Sequence, residues 1–544
     1  MKTGPPPTDA HALDTLTAFF AAVLPKKYTN PSSDIINLLA GLDHVDAVFT
    51  EFVAVLDGLI RTGPTVEIRH KSIEVALSVV SGAYQTSLLS YFTHRDLFPS
   101  LMKFVQESDF PNAAFFPFTL LGLLTNYNKF EFQNPYRLRL EDFVNEAIIQ
   151  AIIRSTGATC AKLRDSYVEI RNDLPEGWSL TSTFGMLGLG TLVGAKPKQP
   201  VIDPEAAKLL FQKLPGAEAA VLLATYDFAY ANKLFCFNLV TLPPATKGAE
   251  APITSFLSLT SYLLAHAYTS SRCSLYARLN LTNLRLLLED QVLCKRICSE
   301  ESKSFVRLCR QRSPYLPLIK GERVLAASIL DAMIDGLNHN LRKRLDVDLY
   351  ILFIGLIHRL VSHLGRSRTR LEYHWGELFR SLLTLIRFLA QYSSDLSTLL
   401  NIEKLLDSVT NVIALSLSSG ETFLPSPAAY DDLFYKLVEC GETLQKFSDN
   451  YKLAKKSGNS INTLIGVSKH YHAMLKDGVK GSQVKNLTSA QVAKVIREGY
   501  ETLELGSTEG LDGWDRFREK DEKSYFKKMA RGVVEDVKVL VDRA

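Results

Sequence analysis

Cysteine thiolates and histidine nitrogens are common zinc ligands in proteins, and this sequence places both types near its middle. Cys294 and Cys298 lie four residues apart in a predicted helix. The sequence has seven cysteines but no Cys-x-x-Cys motif, and no Cys/His spacing completes a zinc set. Because disulfide scaffolds are small and rich in cysteine, the thiols are interpreted as buried structural residues of a protein in a reducing compartment.

Three of the eleven histidines, His358, His363 and His374, lie among arginines in the segment HRLVSHLGRSRTRLEYHW. Their spacings do not predict a convergent metal set, so surface or helix-end positions are the favoured interpretation. Two adjacent acids, Asp431 and Asp432, follow the sequence SPAAY, where the start of a helix favours negative charge. These acids therefore need no catalytic role.

The sequence contains none of the common catalytic or nucleotide-binding motifs. We find no Walker A motif, no set of kinase motifs, no His-Glu-x-x-His and no Gly-x-Ser-x-Gly. The run GMLGLG at 185–190 does not match Gly-x-Gly-x-x-Gly and follows no predicted strand. The sequence therefore predicts neither an enzyme nor a cofactor site.

Charge is spread unevenly along the chain. The whole sequence has a net charge of only +4, which does not predict a nucleic-acid-binding protein. Residues 294–370, however, contain 15 Lys/Arg and 7 Asp/Glu, an excess of 15 − 7 = +8. Each basic side chain near an anionic membrane contributes about 1 kcal/mol, so a converging group could dock the protein reversibly. A solvated helix edge is the alternative, and the scarcity of interleaved aromatics argues against single-stranded nucleic acid. The candidates for an anionic-membrane or acidic-partner patch are Arg342, Lys343, Arg344, Arg359, Arg366, Arg368 and Arg370.

Hydropathy predicts at most a peripheral contact with a membrane. The N-terminal sequence MKTGPPPTDAHALDTL lacks the apolar core of a signal peptide. No segment supplies 18 strongly apolar residues, the length typical of a spanning helix. The nearest are 348–364, interrupted by two histidines and an arginine, and 177–195 and 251–271, both diluted by Ser, Thr and Gly.

Helical periodicity recurs along almost the whole chain. In residues 43–60, apolar side chains fall at i, i+3, i+4 and i+7 spacing, which is typical of an amphipathic helix. Helices of about 12–24 residues with short Gly, Pro and Asn breaks predict an all-α, degenerate armadillo/HEAT-like α-solenoid, with independent helical bundles as the alternative. Similar helical units are predicted at 69–92, 140–156, 158–171, 204–214, 216–240, 253–269, 273–298, 322–339, 344–364, 371–392, 399–418, 428–448, 488–505 and 521–541.

Breaks in this periodicity predict the domain organisation. Residues 1–33 form a Pro-rich, weakly patterned segment, 34–176 the N-terminal armadillo-like repeats, 177–203 a Gly/Ser/Thr-rich loop, 204–454 the central helical repeats, 455–485 a polar linker region, and 486–544 C-terminal capping helices. In the last of these, a stripe containing Phe526, Met529, Val533, Val537 and Leu540 predicts an amphipathic helix that shields the final core edge.

Two asparagines follow the apolar run FFPFTLLGLLT at 115–125. The last helix of an armadillo repeat lines the concave face, where asparagine amides commonly bind the backbone of an extended peptide. Asn126 and Asn128 are therefore candidate contacts for a peptide or protein partner. Capping of the helix C-terminus, for which asparagine is well suited, is the favoured alternative.

Several phrases of the sequence resemble one protein family. The segments SGAYQTSLLSYFTHRDLFPSLMK (81–103), NYNKFEFQNPYRLRLEDFVNE (126–146), DLPEGWSL (173–180), GETFLPSPAAYDDLFYKL (420–437) and LTSAQVAKVIREGYETLEL (487–505) are similar to the armadillo-like helical domain-containing proteins of the Golgi. The resemblance runs from about residue 40 to residue 530 and indicates a fungal-type or otherwise divergent member. Its hallmark segment was formerly a domain of unknown function.

This resemblance implies a non-enzymatic adaptor. Members of the family associate with a type III beta phosphatidylinositol 4-kinase and with the large Golgi exchange factor for Arf GTPases, and they support Golgi maintenance and secretion. The implied location is cytoplasmic and associated with Golgi membranes. Residues 1–33 do not align with the family. The alternatives are a nuclear-transport-type cargo receptor and another cytosolic peptide-binding solenoid. An import receptor should have an acidic groove, whereas the region with the largest charge excess in this sequence is basic.

Overall fold

The computed structural model describes residues 8–26, 35–41, 43–84, 86–110, 112–173, 203–342, 345–477 and 510–543. These residues form α-helices, short 3-10 helices and turns. Within them the only extended pairing is an isolated antiparallel bridge between Ser304 and Arg323. The predicted all-α, armadillo-like fold is confirmed.

The α-helices are numbered in chain order through the described residues. They are α1 Thr8–Val23, α2 Ile35–Ala40, α3 Val45–Thr62, α4 Val66–Gly82, α5 Leu89–His94, α6 Phe98–Glu107, α7 Phe115–Asn126, α8 Pro135–Glu141, α9 Glu146–Ile170, α10 Pro204–Lys213, α11 Val221–Ala231, α12 Lys233–Thr241, α13 Pro252–His266, α14 Ser271–Glu289, α15 Gln291–Cys298, α16 Leu325–His339, α17 Val347–Ser367, α18 Trp375–Gln391, α19 Ser393–Leu396, α20 Ile402–Phe423, α21 Pro427–Glu439, α22 Gly441–Tyr451, α23 Ile461–Asp477 and α24 Lys523–Val541.

Short polar residues mark where many of these helices begin. Asn232 accepts a hydrogen bond from the Phe235 amide and starts α12, and Asp346 accepts one from the Leu349 amide and starts α17. Such caps satisfy amides that have no partner inside the helix. The cap at Asn232 explains why the predicted helical unit 216–240 is two helices, α11 and α12.

Residues 1–283 and 518–544 form the first of two compact units. Within it α1 packs on α4, α7 on α11, and α9 on α13. Glycines allow two of these close approaches: a Cβ on Gly122 would lie 2.9 Å from the Ala224 Cβ, and one on Gly157 would lie 2.8 Å from the Pro252 Cα. Apolar side chains from all of these helices are buried in the unit.

Residues 284–517 form the second unit. Its long helix α17 packs on α20, α16 contacts both α17 and α18, and α18 contacts α21 and α22. The short helix α15 also lies against α17. Trp375, at the start of α18, is fully buried and donates its indole N–H to the Leu371 carbonyl.

The C-terminal helix α24 packs within the first unit, against α4, α7 and α11. Its predicted apolar stripe faces this core: Phe526, Met529 and Val533 are each 1% exposed, and Val537 is fully buried. Its sequence pattern predicted a helix that shields the last edge of the array. It instead covers helices from the opposite end of the chain, because its apolar stripe completes their core.

The segment predicted to be weakly patterned contains a regular helix. In α1, Leu13, Thr17 and Phe20 recur at helical spacing and face α4, where Ser78 donates a hydrogen bond to the Thr17 carbonyl. The predicted loop at 177–203, apart from Asp203, and the helix at 488–505 lie outside the described residues.

One described helix, α17, is long and apolar enough to cross a membrane, so the expectation that no segment could do so is corrected. In the structure, however, 67% of its apolar window is buried. Arg359, an interruption noted in the sequence, is itself covered by protein and paired with Glu289. These properties are typical of a core helix.

Candidate functional site

A groove of about 980 Å³ runs along helix α17 in the second unit. One wall is the α17 face that carries Ile351, Gly355 and His358. Residues 397–404 form another part of the lining, and residues 510–515 border the groove near the end of the unit. Leu400, which lines this groove, is 83% exposed, an unusual position for an apolar side chain of that size.

Arg359 is buried beneath the groove. Its Nη2 lies 2.6 Å from Glu289 Oε1 and also donates to the Asp515 carbonyl at 3.2 Å. Its guanidinium carbon is 5.5 Å from the Trp514 ring centroid, a cation–π distance. Burial and the nearby Arg285 lower the Arg359 pKa to about 10. With an exposed fraction of 4%, this arginine anchors residues 510–515.

Arg366 contacts the same segment from the last turn of α17. Its Nε lies 2.6 Å from Asp512 Oδ2, and its Nη2 donates to the Asp512 carbonyl. The guanidinium also lies 5.2 Å from the Trp514 ring centroid. The hydrogen bond from Arg366 holds the Asp512 pKa below its usual range. Arg359 and Arg366 thus approach one aromatic ring, a convergence that the tryptophan in DGWDRF could have suggested.

The other predicted basic residues are placed differently. Arg368 is exposed and ends α17 in a left-handed conformation, with φ +50°. Arg370 follows and donates to the Leu424 carbonyl. Arg342 precedes α17 and is exposed. Arg342 precedes the start of α17 and Arg366 lies in its last turn, so the two residues are near opposite ends of a 21-residue helix. Lys343 and Arg344 lie outside the described residues, and the patch remains a prediction.

The three histidines have separate surroundings. His358 Nε2 donates to the Leu511 carbonyl at 2.6 Å, and burial lowers the pKa of His358. His374 Nε2 lies 2.9 Å from Asp331 Oδ1. His363 instead meets Cys294 and Cys298, with their ligand atoms within 4.8 Å of one another. Sequence spacing did not predict this approach, which arises because α15 and α17 pack together.

Asn126 and Asn128 border a second groove, of about 430 Å³, in the first unit. Asn126 is only 7% exposed, and its amide nitrogen donates to the Gly122 carbonyl and to Asp227. Asn128 has φ +46°, the left-handed geometry that asparagine tolerates after a helix. A peptide contact remains a prediction, and the capping alternative agrees with the Asn128 backbone.

A buried ion cluster lies beside Asn126. Lys129 is paired at 2.5 Å with both Asp227 and Glu519. Burial lowers the Lys129 pKa, but the two carboxylates outweigh that effect, so its pKa is raised. Burial raises the Asp227 pKa to about 6, with Lys129 opposing the change. Tyr226 also donates to Glu519 at 2.8 Å. Loss of any one of these groups would leave an uncompensated buried charge, so the cluster depends on all of its members being present.

The described residues thus define an all-α, armadillo-like helical protein with a groove in each of its two units. Residues 323–539 match the family model for the C-terminal region of armadillo-like helical domain-containing protein 3. The predicted resemblance to the armadillo-like helical domain-containing proteins is confirmed.

Relatives extend the similarity over almost the whole chain. The UPF0588 membrane protein of Schizosaccharomyces pombe is 27% identical over 528 residues, covering 96% of this chain and 84% of the relative. Armadillo-like helical domain-containing protein 3 of Danio rerio is 24% identical over 581 residues, covering 96% of this chain and 82% of the relative. The Homo sapiens protein of that name is 24% identical over 591 residues, covering 97% and 83%, respectively. The similarity supports a helical scaffold.

Proposed function

We propose that this protein is a non-enzymatic adaptor that holds trafficking machinery at the cytosolic face of Golgi membranes. The groove along α17 carries the proposal, because it combines an exposed apolar side chain, Leu400, with a polar lining. Such a mixture suits a protein–protein contact, in which apolar anchors are bordered by polar groups.

The proposed partners are a type III beta phosphatidylinositol 4-kinase and a large Arf exchange factor, as the family resemblance implies. An adaptor needs surfaces and no reaction centre. The titratable residues in the groove support this role because they are engaged with one another: Lys456 pairs with Glu403 and Asp407, at 3.1 and 2.9 Å. These pairs leave a polar wall whose charges are partly satisfied within the protein.

A peripheral membrane contact is the second part of the proposal. Arg368 and Arg342 are exposed, and the fission yeast relative is named a membrane protein. Attraction of these arginines to anionic headgroups would supplement binding through protein partners.

Proximity labelling in cells tests the proposed function directly. The full chain should label Golgi proteins, including the kinase and the exchange factor, and labelling of nuclear-pore proteins would favour the transport-receptor alternative. Leu400→Asp should reduce partner labelling by at least about tenfold if Leu400 is an anchor worth about 1.4 kcal/mol or more. Val144→Asp is the matched control, because Val144 is 77% exposed and lies in the first unit. Equal loss in both variants, or loss in neither, would contradict the groove assignment.

A further inference from the structure

Cys294, Cys298 and His363 form a compact group of potential metal ligands in the second unit. Their two sulfur atoms and the nearest imidazole nitrogen all lie within 4.8 Å of one another. Cys294 is 2% exposed and Cys298 is 6% exposed, while His363 is half-buried. The fold therefore covers the two cysteines, and solvent reaches part of the histidine.

Two elements bring these side chains together. Asp290 starts helix α15 by accepting hydrogen bonds from the amides of residues 292 and 293. This start fixes the helical register, in which residues four apart lie on one face. Cys294 and Cys298 therefore project side by side, and the packing of α17 on α15 supplies His363 from a region 65 residues later.

We propose that Cys294, Cys298 and His363 bind a Zn²⁺ ion. Two thiolates and an imidazole are a common partial ligand set for zinc, and the two thiolates neutralise the charge of the ion. With Zn–S bonds of about 2.3 Å, tetrahedral geometry places two sulfurs about 3.8 Å apart. Ligand atoms within 4.8 Å need to move by only about 1 Å, which side-chain rotation can provide.

Three protein ligands leave one coordination position for water or a ligand from solution. The site differs in this respect from a closed four-ligand structural site. Its main effect on the protein would be to join α15 to α17, the helix that lines the candidate partner groove. A site that ties these helices together would stabilise the groove wall without taking part in a reaction.

Metal analysis of the full-length protein tests the proposal. After removal of metal with a chelator under reducing conditions, addition of Zn²⁺ should restore about one equivalent and raise the melting temperature. Co²⁺ in place of Zn²⁺ should give a thiolate-to-cobalt charge-transfer band and the visible absorption of tetrahedral cobalt. Absence of that band, or no change in metal content and melting temperature when Zn²⁺ is added, would overturn the assignment.

Substitutions distinguish a metal site from two cysteines that are buried only as packing residues. Cys294→Ser, Cys298→Ser and His363→Gln should each weaken zinc binding by more than about 100-fold, since losing even an outer-shell partner costs 10–100-fold. Cys440→Ser is the matched control, because Cys440 is also 6% exposed and lies in the second unit. If His363→Gln folds with an unchanged melting temperature in chelator and still binds zinc as the wild type does, the proposal fails.

Discussion

Lys129 and Asp227 form an ion pair at 2.5 Å in which the lysine side chain is 3% exposed and the aspartate side chain 1%. Removing one partner of a buried pair leaves an uncompensated charge and costs about 3–5 kcal/mol. Lys129→Met should therefore lower the free energy of unfolding by that amount in a urea titration. This variant also removes the positive charge that lies between the carboxylates of Asp227 and Glu519.

The exposed pair Lys527–Glu131 provides the control for that measurement. Its side chains are 46% and 43% exposed, and such pairs contribute about 0–1 kcal/mol. Lys527→Met should thus change the free energy of unfolding by less than about 1 kcal/mol. Similar costs for the two variants would contradict the structural role given to the buried cluster.

Asp227 should also give stability a distinctive dependence on pH. Burial raises its folded-state pKa from 3.8 to about 6, so the folded protein holds a proton that the unfolded chain has lost. The stability contributed by that proton is fully present below pH 3.8 and is lost as the pH rises through about 6. Urea titrations from pH 4 to 7 should show this decline in the wild type and not in Asp227→Asn.

Asp512 supplies a control of opposite sign. The hydrogen bond from Arg366 lowers the folded-state pKa of Asp512 below its unfolded-state value of 3.8. The stability that Asp512 contributes is therefore present above pH 3.8 and is lost as the pH falls through the folded-state pKa. Asp512→Asn should remove only this loss of stability at acidic pH. A decline between pH 4 and 6 that persists in Asp227→Asn would show that another group is responsible.

The C-terminal helix is expected to be essential to the first unit. Val537 is fully buried against this unit, whereas Val539, two residues later, is 40% exposed. Val537→Asp should lower the free energy of unfolding by at least about 3 kcal/mol, because it buries an unpaired charge. Val539→Asp should have an effect within about 0.5 kcal/mol.

Truncation at Asp512 removes the whole helix and should lower both the melting temperature and the solubility. Differential scanning fluorimetry and sedimentation provide these measurements. A truncated chain with the wild-type melting temperature would mean that the α24 contacts contribute nothing to stability.

Binding to anionic vesicles should depend on Arg368 and weaken as salt increases. The Debye length falls from about 10 Å at 0.1 M to about 3 Å at 1 M, which screens exposed charges. Arg368→Glu should reduce co-sedimentation with vesicles containing phosphatidylserine, while Arg380→Glu, an equal charge change on α18, should not. If both variants bind as the wild type does, recruitment depends on protein partners.

Arg366 requires a separate interpretation. Arg366 was predicted to belong to the basic patch with Arg368 and Arg370, but it lies in α17 and contacts Asp512 and Trp514. Arg366→Glu should therefore lower the melting temperature as well as any membrane binding. Arg368, which is exposed at the end of α17, is therefore the better position at which to test attraction to the membrane.

The sequence predicted the features that depend on local periodicity. The stripe from Phe526 to Leu540 faces a core as expected, because the i, i+3, i+4 pattern fixes a helix face whatever covers it. Helix boundaries were less predictable. The units 140–156 and 158–171 are largely one helix, α9, since Gly157 permits close packing without ending the helix.

Contacts between distant parts of the chain could not be predicted in this way. His363 meets Cys294, and Lys129 meets Glu519, only because helices remote in sequence pack together. Periodicity shows which face of a helix is apolar and does not identify the helix that will cover it. The convergent metal ligands and the buried ion cluster were missed for this reason.

The discontinuity of the first unit has a consequence for synthesis on the ribosome. Residues 1–283 emerge first, but their core is completed by residues 518–544. The same C-terminal segment supplies Glu519, the second carboxylate that pairs with Lys129. Translation at about 5–20 residues per second separates these two parts by roughly 13–50 s. During that interval the nascent chain exposes the apolar surface that α24 will cover. We therefore expect the newborn N-terminal part to depend on chaperones, although the finished protein does not.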